Sequence, residues 1–167
     1  MDETDGAGTG ALPPKSVARF VERARAAGLA PAPVLHEGSA RTAEEAAARC
    51  GCALGRIVKS LVFRGAQSGA PVLALVGGDR RLNTEALVGT LGEAVERPDA
   101  AFVRSVTGYA IGGIPPLGHD QKLATFIDKS LLAHETVWAA AGAPNAVFEV
   151  DPRALRDAVS AREIDAA

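Results

Sequence analysis

From Ser16 the apolar positions Val17, Phe20, Val21 and Ala24 recur at helical spacing, and the pattern predicts a helix stopped by Gly28 and the prolines at 31 and 33. A second helix is expected from Thr42, where Thr42 and Glu45 form a capping box ahead of an alanine-rich run ending near Gly51. The period then shortens. "RIVKSLVFRG" is β-branched and aromatic, and "PVLALVGG", reached through the turn "GAQSGA", is the expected hairpin partner. "DRRLNTEALVGTLG" predicts a turn and a short helix with Asn83 as N-cap. Another short helix is expected from Pro98 to Thr107, with Pro98 in its first turn and Gly108 at its stop. "LATFID", "TVWAAA" and "AVFEV" predict three short strands, and Asp151 followed by Pro152 opens a closing helix. Strands outnumber the long connections that a parallel sheet needs, so the expected fold class is α+β, with a mixed, largely antiparallel sheet and flanking helices.

One lysine sits oddly in this pattern. Alternation places Ile57, Lys59, Leu61 and Phe63 on one strand face and Val58, Ser60, Val62 and Arg64 on the other, so Lys59 shares the more apolar face. A buried ammonium needs an anionic partner to offset its lost hydration. Either Lys59 pairs with a carboxylate such as Asp128, or its stem packs while its head reaches water, or its partner arrives with a ligand as a phosphate, a carboxylate or a developing oxyanion. The second oddity is "TGYAIGGIPPLGHDQ", Thr107 to Gln121, which holds four glycines, two adjacent prolines and one of the three histidines. Gly112 and Gly113 let a backbone approach a ligand closely, and Pro115 and Pro116 keep such a loop in shape. The same composition also suits a plain structural turn, and His119 reads as a base, an orienting donor or a surface residue.

Composition narrows the function classes. The 167 residues, 47% of them hydrophobic, suit one globular domain, expected over residues 15–167 behind a flexible acidic tail at residues 1–14. The "GAGTG" of that tail lacks the preceding strand of a phosphate-binding loop. No apolar run reaches the roughly 18 residues of a membrane span and the amino-terminus lacks signal-peptide character, so a cytoplasmic protein without a membrane partner is expected. Cys50 and Cys52, with His36, His119 and His134, follow no ligand spacing, and neither a metal nor a cofactor is expected. A net charge of −2 gives no long-range pull on a nucleic acid, yet 14 of the 18 cationic residues are arginine. Arg56, Arg64, Arg80 and Arg81 read either as a local phosphate-binding patch or as ordinary solvated surface. A G-x-S-x-G elbow and a Walker sequence are missing, no cysteine is set up as an activated thiolate, and "LVGGDRR" lacks the fingerprint of a nucleotide-binding enzyme.

In this order and spacing, "IVKSLVF", "VLALVGGDRRLN", "GYAIGGIPPLGH", "FID" and "VWAAAGAPNAVFEVDPRAL" resemble the YbaK and prolyl-tRNA-synthetase-associated editing-domain family, over about residues 16–160. The resemblance implies a barrel-like mixed sheet with flanking helices. It also implies a hydrolase that removes wrong amino acids from tRNA, most characteristically tRNA for proline. Mischarged tRNA is then the partner, with a prolyl-tRNA synthetase or a translation factor as candidate companions. Lys59 matches the family's functional lysine and Gly112–Pro116 its G-x-x-x-P loop. The resemblance thus makes Lys59, Gly112 and Gly113 catalytic candidates, the lysine holding the aminoacyl-adenosine end and the two amides the oxyanion. Ile114, Pro115, Pro116, His119 and Asp128 become candidate substrate contacts, and Arg56, Arg64, Arg80 and Arg81 candidate tRNA contacts. Water is expected to be activated by His119 or by the substrate's own hydroxyl. Cysteinyl-tRNA-hydrolysing relatives usually carry serine just before the final proline of the loop, where this chain has Pro115. Proline offers no hydroxyl, which implies removal of serine, threonine or alanine ahead of cysteine. The alternative is a noncatalytic module that holds tRNA or a nucleotide.

Overall fold

The computed structural model describes residues 13–166. The tail expected at residues 1–14 therefore lies, up to Leu12, outside the described residues. In chain order the elements are α1 (Lys15–Ala26), β1 (Val34–Leu35), α2 (Ala43–Cys50), β2 (Val58–Gly65), β3 (Pro71–Gly77), α3 (Glu85–Leu91), β4 (Val95–Glu96), α4 (Ala100–Thr107), β5 (Ala124–Asp128), β6 (Val137–Ala140), β7 (Ala146–Val150), α5 (Pro152–Val159) and β8 (Arg162–Ile164). Short 3-10 turns at Leu54–Arg56 and Lys129–Ala133 complete the list.

Local chemistry sets most of the boundaries. Thr42 Oγ1 accepts from the Glu45 N–H at 3.1 Å, and Glu45 Oε1 reaches back to the Arg41 N–H at 2.6 Å, so two otherwise unpaired donors at the start of α2 are satisfied. Gly51 ends that helix at φ 67°, which suits glycine. Asp151 caps α5 through the Arg153 N–H, with Pro152 as first helical residue. Two expected starts move by a residue or two. Asp99, and not Pro98, begins α4 by accepting from the Phe102 N–H at 2.8 Å. Asn83 stands one residue before the N-cap Thr84 and accepts from Glu85 N at 3.1 Å.

β2 and β3 form the expected hairpin, with Lys59 opposite Val76. They lie inside a five-stranded sheet of order β4-β2-β3-β5-β8, in which β4 and β2 run antiparallel to their neighbours while β3, β5 and β8 are mutually parallel. A second sheet, β1-β7-β6, is antiparallel. One face of the large sheet, through Val58, Leu73 and Leu75, meets a core that includes Val17 and Phe20 of α1, Phe148 of β7 and Leu155 of α5. The other face, through Phe63, Val72, Ala74 and Val76, is covered by Leu87 of α3. Strand β3 is thus buried on both faces, which accounts for the uninterrupted apolar run of "VLALV".

The mixed α+β class holds, but the barrel-like closure does not. Among the described residues the two sheets are open and are joined by one parallel bridge, Ile57 to Trp138. Closure requires every strand to be paired on both edges, and the outer strands β4 and β8 are only 2 and 3 residues long.

Candidate active site

The lysine that alternation singles out does share a face with Leu61 and Phe63, the face toward α3. Its ammonium donates to the carbonyl oxygen of Arg80, just beyond the end of β3. Asp128 is not its direct partner. The Asp128 carboxylate is fully buried at the end of β5, where it accepts from Ser130 Oγ at 2.7 Å and lies 3.4 Å from Arg80 Nε. Arg80 also pairs with Asp165 at 2.8 Å. Asp128 therefore fixes Arg80, whose carbonyl in turn fixes Lys59: it is a positioning residue two contacts away. An ammonium carries three donors, and one is spent on Arg80, which leaves two for an incoming group.

The glycine-proline loop runs past the same strand. Gly112 is exposed at φ 96°, and a side chain there would stand 3.7 Å from Pro144 with room to spare but in a strained conformation. Gly113 is buried for a different reason: a Cβ there would fall 2.7 Å from the Ala143 backbone. Its N–H is already spent, donating to Ala110 O at 3.0 Å. The expectation that the Gly113 amide faces the oxyanion is thus corrected, because that amide closes a turn. The N–H groups of Gly112 and Ile114 have no hydrogen-bond partner among the described residues.

His119 is turned away from this surface. Its Nε2 lies 2.8 Å from Pro115 O; a carbonyl can only accept, so Nε2 carries the proton. Burial lowers its pKa from the ordinary 6.5, the Pro115 bond opposing and nearby Arg23 reinforcing the shift. His119 lines a separate hollow with Arg23, Pro116 and Asp120, so neither a base role nor a contact with the substrate hydroxyl fits its position. With Tyr109, whose hydroxyl donates to Gly118 O at 3.0 Å, it props the loop from behind. Pro115 and Pro116 are buried within that support.

Lys59, Gly112 and Ile114 come together around one cavity of about 370 Å³, bounded by the start of α2, strand β2, the loop and the small sheet. Ile111, 62% exposed, stands at its rim. Three further residues line it that the sequence reading did not select. Arg41 lies just before α2, and its guanidinium pairs with no acid among the described residues. Ser60 has a buried hydroxyl without a hydrogen-bond partner among the described residues. Trp138 is half-buried on β6. Alternation in "TVWAAA" carried the signal for Trp138, since its neighbours Val137 and Ala139 point into the core.

The four arginines do not form one patch. Arg56 is held by Thr136 O at 2.8 Å and by Glu149 at 3.0 Å. Arg64 lies at the far end of β2, about 17 Å along the strand from Lys59 by the usual rise, and pairs with Glu96. Arg80 is bound to Asp128 and Asp165, whereas Arg81, beside it, is exposed and unpaired among the described residues. The cysteines lie off the cavity, and burial pushes the Cys50 thiol up to about 11, so it offers no thiolate.

Comparison with known proteins finds a matching family. The sequence model described as aminoacyl-tRNA editing domain matches residues 37–158. The chain is 33% identical over 121 residues to the uncharacterised protein YwhH of Bacillus subtilis (strain 168), covering 72% of this chain and 76% of YwhH. It is 30% identical over 115 residues to EbsC of Enterococcus faecalis (strain ATCC 700802 / V583), provisionally named a Cys-tRNA(Pro)/Cys-tRNA(Cys) deacylase, covering 68% of this chain and 70% of EbsC. A crystal structure of a provisionally assigned trans-editing enzyme for prolyl-tRNA synthetase superposes with a TM-score of 0.86 at 38% identity, covering 93% of this chain and 98% of that one.

Proposed function

The chain belongs to the aminoacyl-tRNA editing domain family, and from that premise we propose that it is a trans-acting deacylase that hydrolyses the ester of mischarged tRNA, with tRNA for proline as the leading substrate. The observation that carries this reading is a cavity lined by Lys59 and by the loop residues Gly112 and Ile114, whose N–H groups have no partner among the described residues. Water adds to the ester carbonyl, the carbonyl oxygen takes up negative charge, and the tetrahedral adduct collapses as the ribose oxygen leaves with a proton. The Gly112 N–H, joined by that of Ile114, is the donor for the oxyanion, and the two free donors of Lys59 hold the aminoacyl-adenosine end. One well-placed oxyanion donor is worth about 3 to 4 kcal/mol of barrier. With His119 facing elsewhere, the substrate's own hydroxyl relays the proton, taking one from the attacking water as it passes its own to the leaving ribose oxygen. Arg81 and Arg41 are the candidates for tRNA phosphates, because neither is neutralised by an acid among the described residues.

Among amino acids, we place serine, threonine and alanine ahead of cysteine. Pro115 is buried and supplies no hydroxyl, so the pocket selects by shape and backbone contacts. The likeness to EbsC makes cysteine the instructive competitor. The test is a deacylation panel on tRNA for proline carrying each of the four amino acids. Clearance of cysteine at least tenfold faster than the other three would overturn this order. Binding of charged tRNA with unchanged ester lifetimes across the panel would favour the noncatalytic module.

A further inference from the structure

Trp138 is the chain's single tryptophan, and it is left half-buried on the wall of the candidate active-site cavity. Burying an indole fully would gain far more apolar contact, so a surface left open in a cavity calls for an occupant. The strand neighbours Val137 and Ala139 are 0% and 2% exposed, which pins β6 and fixes the direction in which Trp138 projects. A backbone bridge to Ile57 ties the same residue to the strand that carries Lys59 two positions later. The indole N–H has no hydrogen-bond partner among the described residues. On the α2 side the cavity is lined by Ala40, Ala43 and Ala46, while Ile57, Ile111 and Ile114 line it elsewhere. The three alanines leave a slot on the α2 side of the cavity, open to the flat apolar face of the indole, the kind of face on which a base stacks. Arg41 stands at the same cavity, its guanidinium without an acidic partner among the described residues. Together they offer a stacking face and a cation for a phosphate, the two elements that hold the end of a single strand.

We propose that Trp138 is the stacking platform for the adenine base at the 3′ end of the tRNA, and that Arg41 takes the phosphate preceding it. This rests on the deacylase reading for its substrate and adds the subsite that places the ester between Lys59 and Gly112. The alanines of α2 then serve recognition, since a larger residue at Ala43 or Ala46 would fill the slot.

Because Trp138 is the sole tryptophan, its emission reports on the slot directly. Titrating the full chain with AMP, CMP and inorganic phosphate, we expect saturable quenching by AMP, weaker quenching by CMP and none by phosphate. In steady-state deacylation, Trp138→Leu should raise KM about 5- to 150-fold with kcat changed by no more than about threefold, the range expected from losing one base stack. Trp138→Phe should recover part of that loss, which a merely structural role would not produce. No quenching by AMP, or a Trp138→Leu protein that is folded and has the wild-type KM, overturns the proposal. Failure of the deacylase reading looks different: wild-type protein would leave every ester intact while AMP still quenched Trp138, and the nucleotide site would stand without the hydrolysis.

Discussion

At the residue scale, neighbouring glycines carry different duties. Gly113 gives way to the Ala143 backbone, so Gly113→Ala forces a 2.7 Å contact that neither side can relieve by rotating a side chain. It is expected to lose several kcal/mol of stability, visible as a lowered urea midpoint, and to lose activity only as it unfolds. Gly112→Ala meets no such wall and costs about 1–2 kcal/mol for its positive φ, yet it should lower kcat about tenfold or more by shifting the amide that faces the ester. If Gly113→Ala is stable while Gly112→Ala is fully active, the division of labour is wrong. Ser60 supplies an independent check. Its buried hydroxyl is unpaired among the described residues, so Ser60→Ala is expected to raise stability by about 1 kcal/mol in urea denaturation. A loss of that size would show that the hydroxyl is bonded in solution.

At the scale of elements, the loop from Gly108 to Asp120 is held from behind by a histidine whose burial disfavours its charged form. Burial lowers the His119 pKa below 6.5, so in the window between the folded and unfolded values the unfolded chain binds a proton that the folded chain does not. Stability therefore rises with pH through that window and falls as pH drops below about 6.5. His119→Gln, which keeps a donor for Pro115 O, should flatten the slope between pH 7 and pH 5 when melting temperatures are compared. An unchanged slope would assign it to other groups. Elements whose signals are local were legible in the sequence: Thr42 with Glu45, Asp151 with Pro152, and the alternation of β2 all predicted what is seen. The strands β1, β4 and β8 were not, because two or three residues cannot display a period of two. Lys59 and the loop were legible as anomalies. The true neighbours of Lys59 were not, since Arg80 meets Asp165 across 85 residues of sequence and Arg56 meets Glu149 across 93. The sequence shows the arginines as a cluster; folding neutralises three of the four.

At the scale of the whole molecule, a net charge of −2 means that tRNA is not drawn in by an overall field, and affinity must come from a few placed contacts. Arg81→Glu is expected to weaken tRNA binding and reduce the salt slope by about one, whereas Arg64→Glu, far from Lys59 and already paired, should leave both nearly unchanged. Equal effects at the two sites would point to a diffuse surface. The central claim is that Lys59 and the Gly112 loop form one hydrolytic site, and the most direct measurement is the ester lifetime of mischarged tRNA for proline with wild-type and Lys59→Ala protein under single-turnover conditions. Lys59→Ala forfeits one bond to Arg80 O, about 1 kcal/mol, so it should melt within a few degrees of wild type. The expected result is rapid ester loss with wild type and a rate about 100-fold lower or less with a folded Lys59→Ala protein; a folded Lys59→Ala protein that clears the ester at the wild-type rate would contradict it.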